Sequence, residues 1–227
     1  MAPMTNQNDN GANVIDIKLK EIQDEFHQGL ETVSKFSPAV TFYGSTRMTE
    51  DSPYYKKVRD LTYRISTELG YAILSGGGPG IMEAANRGAF EAGGKSVGLT
   101  IKLPNKQITN PYLTDEIMFH FFFTRKSTLF FSTEVCIFCP GGFGTFDELF
   151  EILNLQQTKK MGKIPVILYG SDFWNSIDKT IKEVLLEKYH TVSKEDLDLY
   201  TITDDEDEIL EIIKTSKIRN GEDSLLE

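Results

Sequence analysis

Near its middle the chain reads Val135-Cys136-Ile137-Phe138-Cys139-Pro140-Gly141-Gly142-Phe143-Gly144-Thr145-Phe146-Asp147-Glu148. Five apolar residues in succession show no inside–outside alternation. That is the pattern of a strand covered on both faces, as in a parallel sheet flanked by helices. A proline and three glycines follow, and the amphipathic stretch after them reads as a helix over about 144–158. A strand running through a glycine turn into a helix leaves backbone N–H groups free at the helix start. The helix dipole makes that place attractive to an anion, and phosphate is the natural guest.

The same unit recurs outward in both directions. Apolar runs predict strands at Ala39–Tyr43, Ala72–Leu74, Ser96–Thr100, Ile117–His120, Ile164–Tyr169 and Tyr200–Ile202, besides Val135–Cys139. Amphipathic stretches predict helices near 53–69, 79–92, 124–133, 172–188 and 204–216. Strand–helix alternation of this kind predicts an α/β fold, a doubly wound and mostly parallel sheet of about seven strands with helices on both faces. Ligands in such sheets bind beyond the carboxyl ends of the strands. Ahead of the first strand, Ile15, Leu19, Ile22, Phe26, Leu30 and Val33 recur in steps of three and four, so Val14 to Phe36 reads as a long helix. Residues 1–13 are polar and read as a disordered tail, 14–220 as one domain, and 221–227 as a frayed end.

Two more strand ends carry special sequence: Tyr43-Gly44-Ser45-Thr46-Arg47 and Ser75-Gly76-Gly77-Gly78-Pro79-Gly80-Ile81-Met82-Glu83. Glycine permits a positive φ in a tight turn and lets a ligand approach the backbone closely. A strand-to-helix turn that merely needs a glycine is satisfied by one, whereas Gly141, Gly142 and Gly144 supply three. The dinucleotide fingerprint G-x-G-x-x-G fails because position 81 is Ile81, and G-x-x-x-x-G-K-[ST] is absent. Thr145 and Glu148 have the spacing of a helix capping box, a purely structural alternative for both residues.

The chain has 227 residues and a formal net charge of −10. Its pI of about 4.9 argues against nucleic acid and anionic membrane as partners, because both need clustered Lys and Arg. No stretch approaches the ~20 apolar residues that cross a bilayer. Met1 to Ala12 lack the apolar core of a secretory signal. A cytoplasmic protein is expected. Cys136 and Cys139 form C-x-x-C, but on a buried strand they face opposite sides and read as small core residues. His27, His120 and His190 are scattered, so no metal and no cofactor is expected.

Taken together, these motifs resemble the LONELY GUY (LOG) family, whose members often carry the description "lysine decarboxylase-like". Its pattern P-G-G-x-G-T-x-x-E is matched by Pro140 to Glu148, its Arg-Lys pair by Arg125-Lys126, and its G-G-G-P-G-x-M-E turn by Gly76 to Glu83. The resemblance covers roughly Ala39 to Tyr169 and implies a Rossmann-like fold, a homodimer and a phosphoribohydrolase. Such an enzyme cuts the N-glycosidic bond of a nucleoside 5′-monophosphate, a cytokinin riboside monophosphate or an AMP-like purine nucleotide, to free base and ribose 5-phosphate. The long N-terminal helix and the aromatic Phe119-His120-Phe121-Phe122-Phe123-Thr124 segment depart from the short cytokinin-activating members.

Breaking that bond passes through an oxocarbenium-like state. A carboxylate that stabilises it and orients or deprotonates water is assigned to Glu148. The resemblance makes Arg125 the cation for the leaving base, with a surface or interface ion pair as its alternative. Phosphate falls to Gly141, Gly142, Gly144 and Thr145, with Gly44, Ser45 and Gly78 at neighbouring strand ends completing the pocket. Glu83 is assigned to ribose hydroxyls or to a solvated helix start, and Asn86, one step along the same face, joins it. Lys126 contacts nucleotide or faces solvent. The other reading is a nucleotide or phosphorylated-cofactor carrier of the molybdenum-cofactor type, since fold alone does not fix function.

Overall fold

A computed structural model describes residues 9–103 and 108–219. Seven strands form one sheet: β1 (Ala39–Tyr43), β2 (Ala72–Ser75), β3 (Ser96–Ile101), β4 (Asp115–Phe119), β5 (Val135–Phe138), β6 (Val166–Tyr169) and β7 (Thr201–Thr203). Every pair is parallel, in the order β4-β3-β2-β1-β5-β6-β7. The chain winds outward from β1 to β4, then returns to lay β5 against the other side of β1, with Val40 opposite Val135 and Tyr43 opposite Phe138. The winding reverses between β1 and β5, and the crevice beyond their carboxyl ends is the expected ligand position.

The helices are α1 (Asp9–Val33), α2 (Pro53–Arg64), α3 (Ile81–Glu91), α4 (Phe122–Phe131), α5 (Phe143–Gln157), α6 (Ser171–Thr180) and α7 (Glu206–Thr215). α2 and α6 run on through wider turns at Ile65–Leu69 and Ile181–Lys188, which accounts for the longer helices expected there. Side chains alternate across the sheet as the period of a strand requires. Ala39, Tyr43, Cys136 and Phe138 pack with Leu129 of α4, Ile152 of α5 and Trp174 of α6. Val40, Phe42, Ile137 and Cys139 pack with Leu61 of α2, Ala84 of α3 and Ile213 of α7. The two cysteines therefore sit in opposite cores, free and buried, and burial pushes both thiols up.

One expectation is corrected at the N-terminus. Helix α1 begins at Asp9, so residues 9–13 are helical rather than tail. Its apolar face is seated only in part: Val33 is fully buried, while Ile15 and Leu19 stand exposed. The remaining tail residues, 1–8 and 220–227, lie outside the described residues. Among the described residues no helix is long and apolar enough to cross a membrane.

Candidate active site

Three glycine-bearing turns meet at the reversal point. After β1, the Ser45 N–H donates to the Pro140 carbonyl at 3.1 Å, joining the first turn to the third. The Ser45 carbonyl accepts from the Ile81 N–H at 3.0 Å, joining it to the second. Gly44 packs its bare backbone against the Ile81 side chain. Gly78 is buried, and its carbonyl accepts from the Asn110 side chain at 3.1 Å. Asn110, in the segment before β4, thus fastens onto the second turn.

At the third turn one of the two reasons offered for the glycines falls away. None of Gly141, Gly142 and Gly144 has a positive φ; the left-handed glycines nearby are Gly77 and Gly80. Gly141 is required by close approach, because a Cβ there would collide with the Thr145 hydroxyl. A Cβ on Gly142 or Gly144 would meet only open space, and both residues are exposed. Internal packing gives no reason for glycine at those two positions; a ligand lying against the backbone does. Gly142 is the N-cap of α5, and the first helical bond runs from the Phe146 N–H to the Gly142 carbonyl at 3.1 Å. The N–H groups of Phe143, Gly144 and Thr145 precede that bond and are the unpaired donors of a helix start. The capping-box alternative is excluded, since Thr145 lies inside the helix and no side chain caps it.

Arg125 is 7% exposed, which rules out a surface ion pair. Its Nε donates to the Leu99 carbonyl at 2.7 Å, and its Nη1 lies 3.6 Å from Glu148 Oε1. Nη2 lies against the bare backbone of Gly76, where a Cβ would collide with it. The guanidinium therefore reaches from α4 across the ends of β2 and β3 to α5. The Glu148 side chain is 15% exposed. Burial pushes its carboxyl up to about 7, against the opposing pull of Arg125. A carboxyl with that value gains and loses a proton near neutrality, as a general acid or base must.

The other assigned residues separate. Glu83 is half-buried at the start of α3 and accepts from the Tyr55 hydroxyl at 2.9 Å. Asn86 is fully buried, and its amide is spent on the fold. Its Oδ1 accepts from Ser75 at 2.6 Å and Asn110 at 3.0 Å, and its Nδ2 donates to Ser96 at 3.0 Å. Asn86 therefore braces the second turn from behind instead of lining it. Lys126 pairs with Asp147 at 3.0 Å and Glu151 at 2.6 Å, tying α4 to α5. Burial works to lower its pKa, but these two carboxylates hold it above the ordinary lysine value. Such a lysine is firmly charged, the reverse of a Schiff-base nucleophile.

Sequence reasoning missed Gly76 as the seat of Arg125, Tyr55 behind Glu83, and Asn110. Phe143, the first of three variable positions in the nine-residue pattern, stands 97% exposed on the rim of the turn. A cavity of about 520 Å³ lined by Glu134, Lys163 and Arg219 lies at the opposite, amino-terminal ends of β5 and β6.

Comparisons with known proteins agree with this fold. A family model described as "Possible lysine decarboxylase" matches residues 82–213, more than half of the chain. The cytokinin riboside 5′-monophosphate phosphoribohydrolase LOG2 of Arabidopsis thaliana is 26% identical over 158 residues, covering 67% of this chain and 74% of the relative. LOG1 of the same plant is 28% identical over 163 residues, covering 68% and 74%. Among solved structures, the molybdenum cofactor carrier protein of Chlamydomonas reinhardtii superposes with a TM-score of 0.57 at 21% identity, covering 78% of this chain and 96% of that one. The molybdenum cofactor binding protein of Rippkaea orientalis gives 0.55 at 20%, with the same coverage. At these identities the two structures speak for the fold alone.

Proposed function

The chain belongs to the possible lysine decarboxylase family, the LONELY GUY family, and on that premise we propose that it is a nucleoside 5′-monophosphate phosphoribohydrolase. The observation that carries this reading is the buried Arg125–Glu148 pair beside an open glycine turn. The 5′-phosphate lies on the N–H groups at the start of α5, against Gly142 and Gly144, with the Thr145 hydroxyl in support. Glu148 in its carboxylate form stabilises the positive charge that grows at C1′ and takes a proton from the attacking water. The C1′–O bond forms as the C1′–N bond breaks. The bonding pair leaves with the base, which Arg125 stabilises before a proton restores neutrality. Nucleotide and water become free base and ribose 5-phosphate.

The relatives named as phosphoribohydrolases support the reaction class, and an AMP-like purine nucleotide or a cytokinin riboside monophosphate is the substrate class. The reading includes a cytoplasmic homodimer, which an active monomer in sedimentation would overturn. A carrier of a phosphorylated cofactor, the alternative reading, needs the glycine turn but not the paired carboxyl and guanidinium.

The test compares the wild type with Glu148→Gln and Arg125→Ala, measuring base release from AMP. Loss on the order of 10²–10⁴-fold is expected for Glu148→Gln. Loss of about 10²–10³-fold is expected for Arg125→Ala. Variants that release base at the wild-type rate would remove the pair from the mechanism.

A further inference from the structure

Helix α4 carries Arg125 in its first turn, and both of its ends are tied to segments outside residues 82–213. Its N-cap is Phe121, which offers no side-chain acceptor. Glu25 of α1 instead holds the residues that lead into the helix and the Thr124 hydroxyl in its first turn. One carboxylate oxygen accepts from the His120 N–H at 2.6 Å and lies 3.0 Å from His120 Nδ1. The other accepts from the Phe121 N–H at 3.2 Å and the Thr124 hydroxyl at 2.6 Å. Burial works to raise the Glu25 pKa, and these donors hold it below the usual carboxylate value. At the far end, the Arg219 guanidinium donates to the carbonyls of Phe130, at 2.7 Å, and Thr133. A carboxylate at the start of a helix and a cation at its end both complement its dipole.

The seating of α1 is built for this contact. At Gly29, about one turn beyond Glu25, a Cβ would lie 2.8 Å from the Phe119 ring and 3.1 Å from the Thr128 hydroxyl. Only a bare backbone lets α1 lie so close to β4 and α4. The half of α1 before this point leaves Val14, Ile15, Ile17 and Leu19 exposed, so it is the second half that is anchored. The first helical bond of α4 is donated by the Arg125 N–H itself, to the Phe121 carbonyl at 3.2 Å. Fraying of this turn would move Arg125 directly.

We propose that Glu25 is a positioning residue for Arg125: by clamping the first turn of α4 from the N-terminal helix, it holds the guanidinium within reach of Glu148. The inference rests on the phosphoribohydrolase reading for its kinetic consequence, but not for the clamp itself. A misplaced catalytic group costs rate more than binding, and a shift of about 1 Å can cost ~10²-fold.

The test uses the full-length protein with Glu25→Ala and Glu25→Gln, read by kcat and KM for AMP and by amide exchange of residues 120–125. Glu25→Ala is expected to lower kcat about ten- to a hundredfold with KM little changed. Exchange at His120 and Phe121 should speed up at least ~10-fold while the sheet stays protected. Glu25→Gln, which keeps one acceptor, should recover much of both. Unchanged exchange would overturn the clamp, and unchanged kcat with faster exchange would overturn its positioning role. If the wild type releases no base, the hydrolase reading falls. The clamp is then judged by exchange and by whether Glu25→Ala weakens AMP binding to the degree that Arg125→Ala does; no weakening overturns it.

Discussion

Glu148 is pulled in two directions, and burial outweighs the Arg125 charge to leave its pKa at about 7. The pH dependence follows from that sign. As a base, Glu148 must be ionised, so kcat/KM for AMP should rise with pH and level off above about 7. Arg125→Ala removes the group that favours the carboxylate, so the rising limb of its residual activity should move to higher pH. A limb that stays or moves down would refute the coupling. Stability carries the opposite sign. Between the ordinary glutamate value of 4.5 and about 7, the folded chain holds this proton more tightly than the unfolded chain. The contribution is whole below 4.5 and is lost as pH rises through 7. Glu148→Gln should therefore melt above the wild type at pH 8, by about 2–4 °C for each kcal/mol recovered, with the gap closing toward pH 5. A Gln variant that melts lower at pH 8 would contradict the burial argument.

The β5–α5 turn and its neighbours separate glycines that serve packing from glycines that serve a ligand. Gly144→Ala meets open space, so its melting temperature should hold while affinity for AMP, measured by calorimetry, falls. Unchanged affinity would move the phosphate elsewhere. Gly141→Ala drives a Cβ into Thr145 and should lower both. Gly76→Ala is the sharper probe. Its Cβ would displace the ends of two flexible side chains, Arg125 and Met82, so the fold should survive while kcat falls toward that of Arg125→Ala. The inner strands were legible because they are short apolar runs bounded by turns; at the sheet edges β4 starts two residues earlier than expected, at Asp115-Glu116, and β7 is Thr201–Thr203 rather than Tyr200–Ile202. The β5–α5 unit was read to within a residue at either end. Of the two reasons open for its glycines, positive φ and close approach of a ligand, the choice was not legible, because φ angles and free space depend on what lies opposite. Asn86 shows the same limit: its place on α3 was plain, but its partners Ser75, Ser96 and Asn110 come from three other segments.

The molecule is a parallel sheet whose winding reverses at β1 and β5, with the chemistry-bearing side chains gathered from α4 and α5 above that point. The fold class and the sheet could be anticipated from the order of apolar runs, and the resemblance named Arg125 and Glu148 for separate roles; that their side chains approach to 3.6 Å was not legible. Contacts that brace the site across long sequence separations left no local trace; Glu25 lies 95 residues from His120. Lys126 had the motif but not the environment, being committed to Asp147 and Glu151. What the whole arrangement does is decided by incubating the wild-type protein with a panel of nucleoside 5′-monophosphates and quantifying free base and ribose 5-phosphate together. A phosphoribohydrolase releases both products in equal amounts from at least one purine nucleotide. Tight binding of the nucleotides with no release of base from any of them would contradict it and favour a carrier.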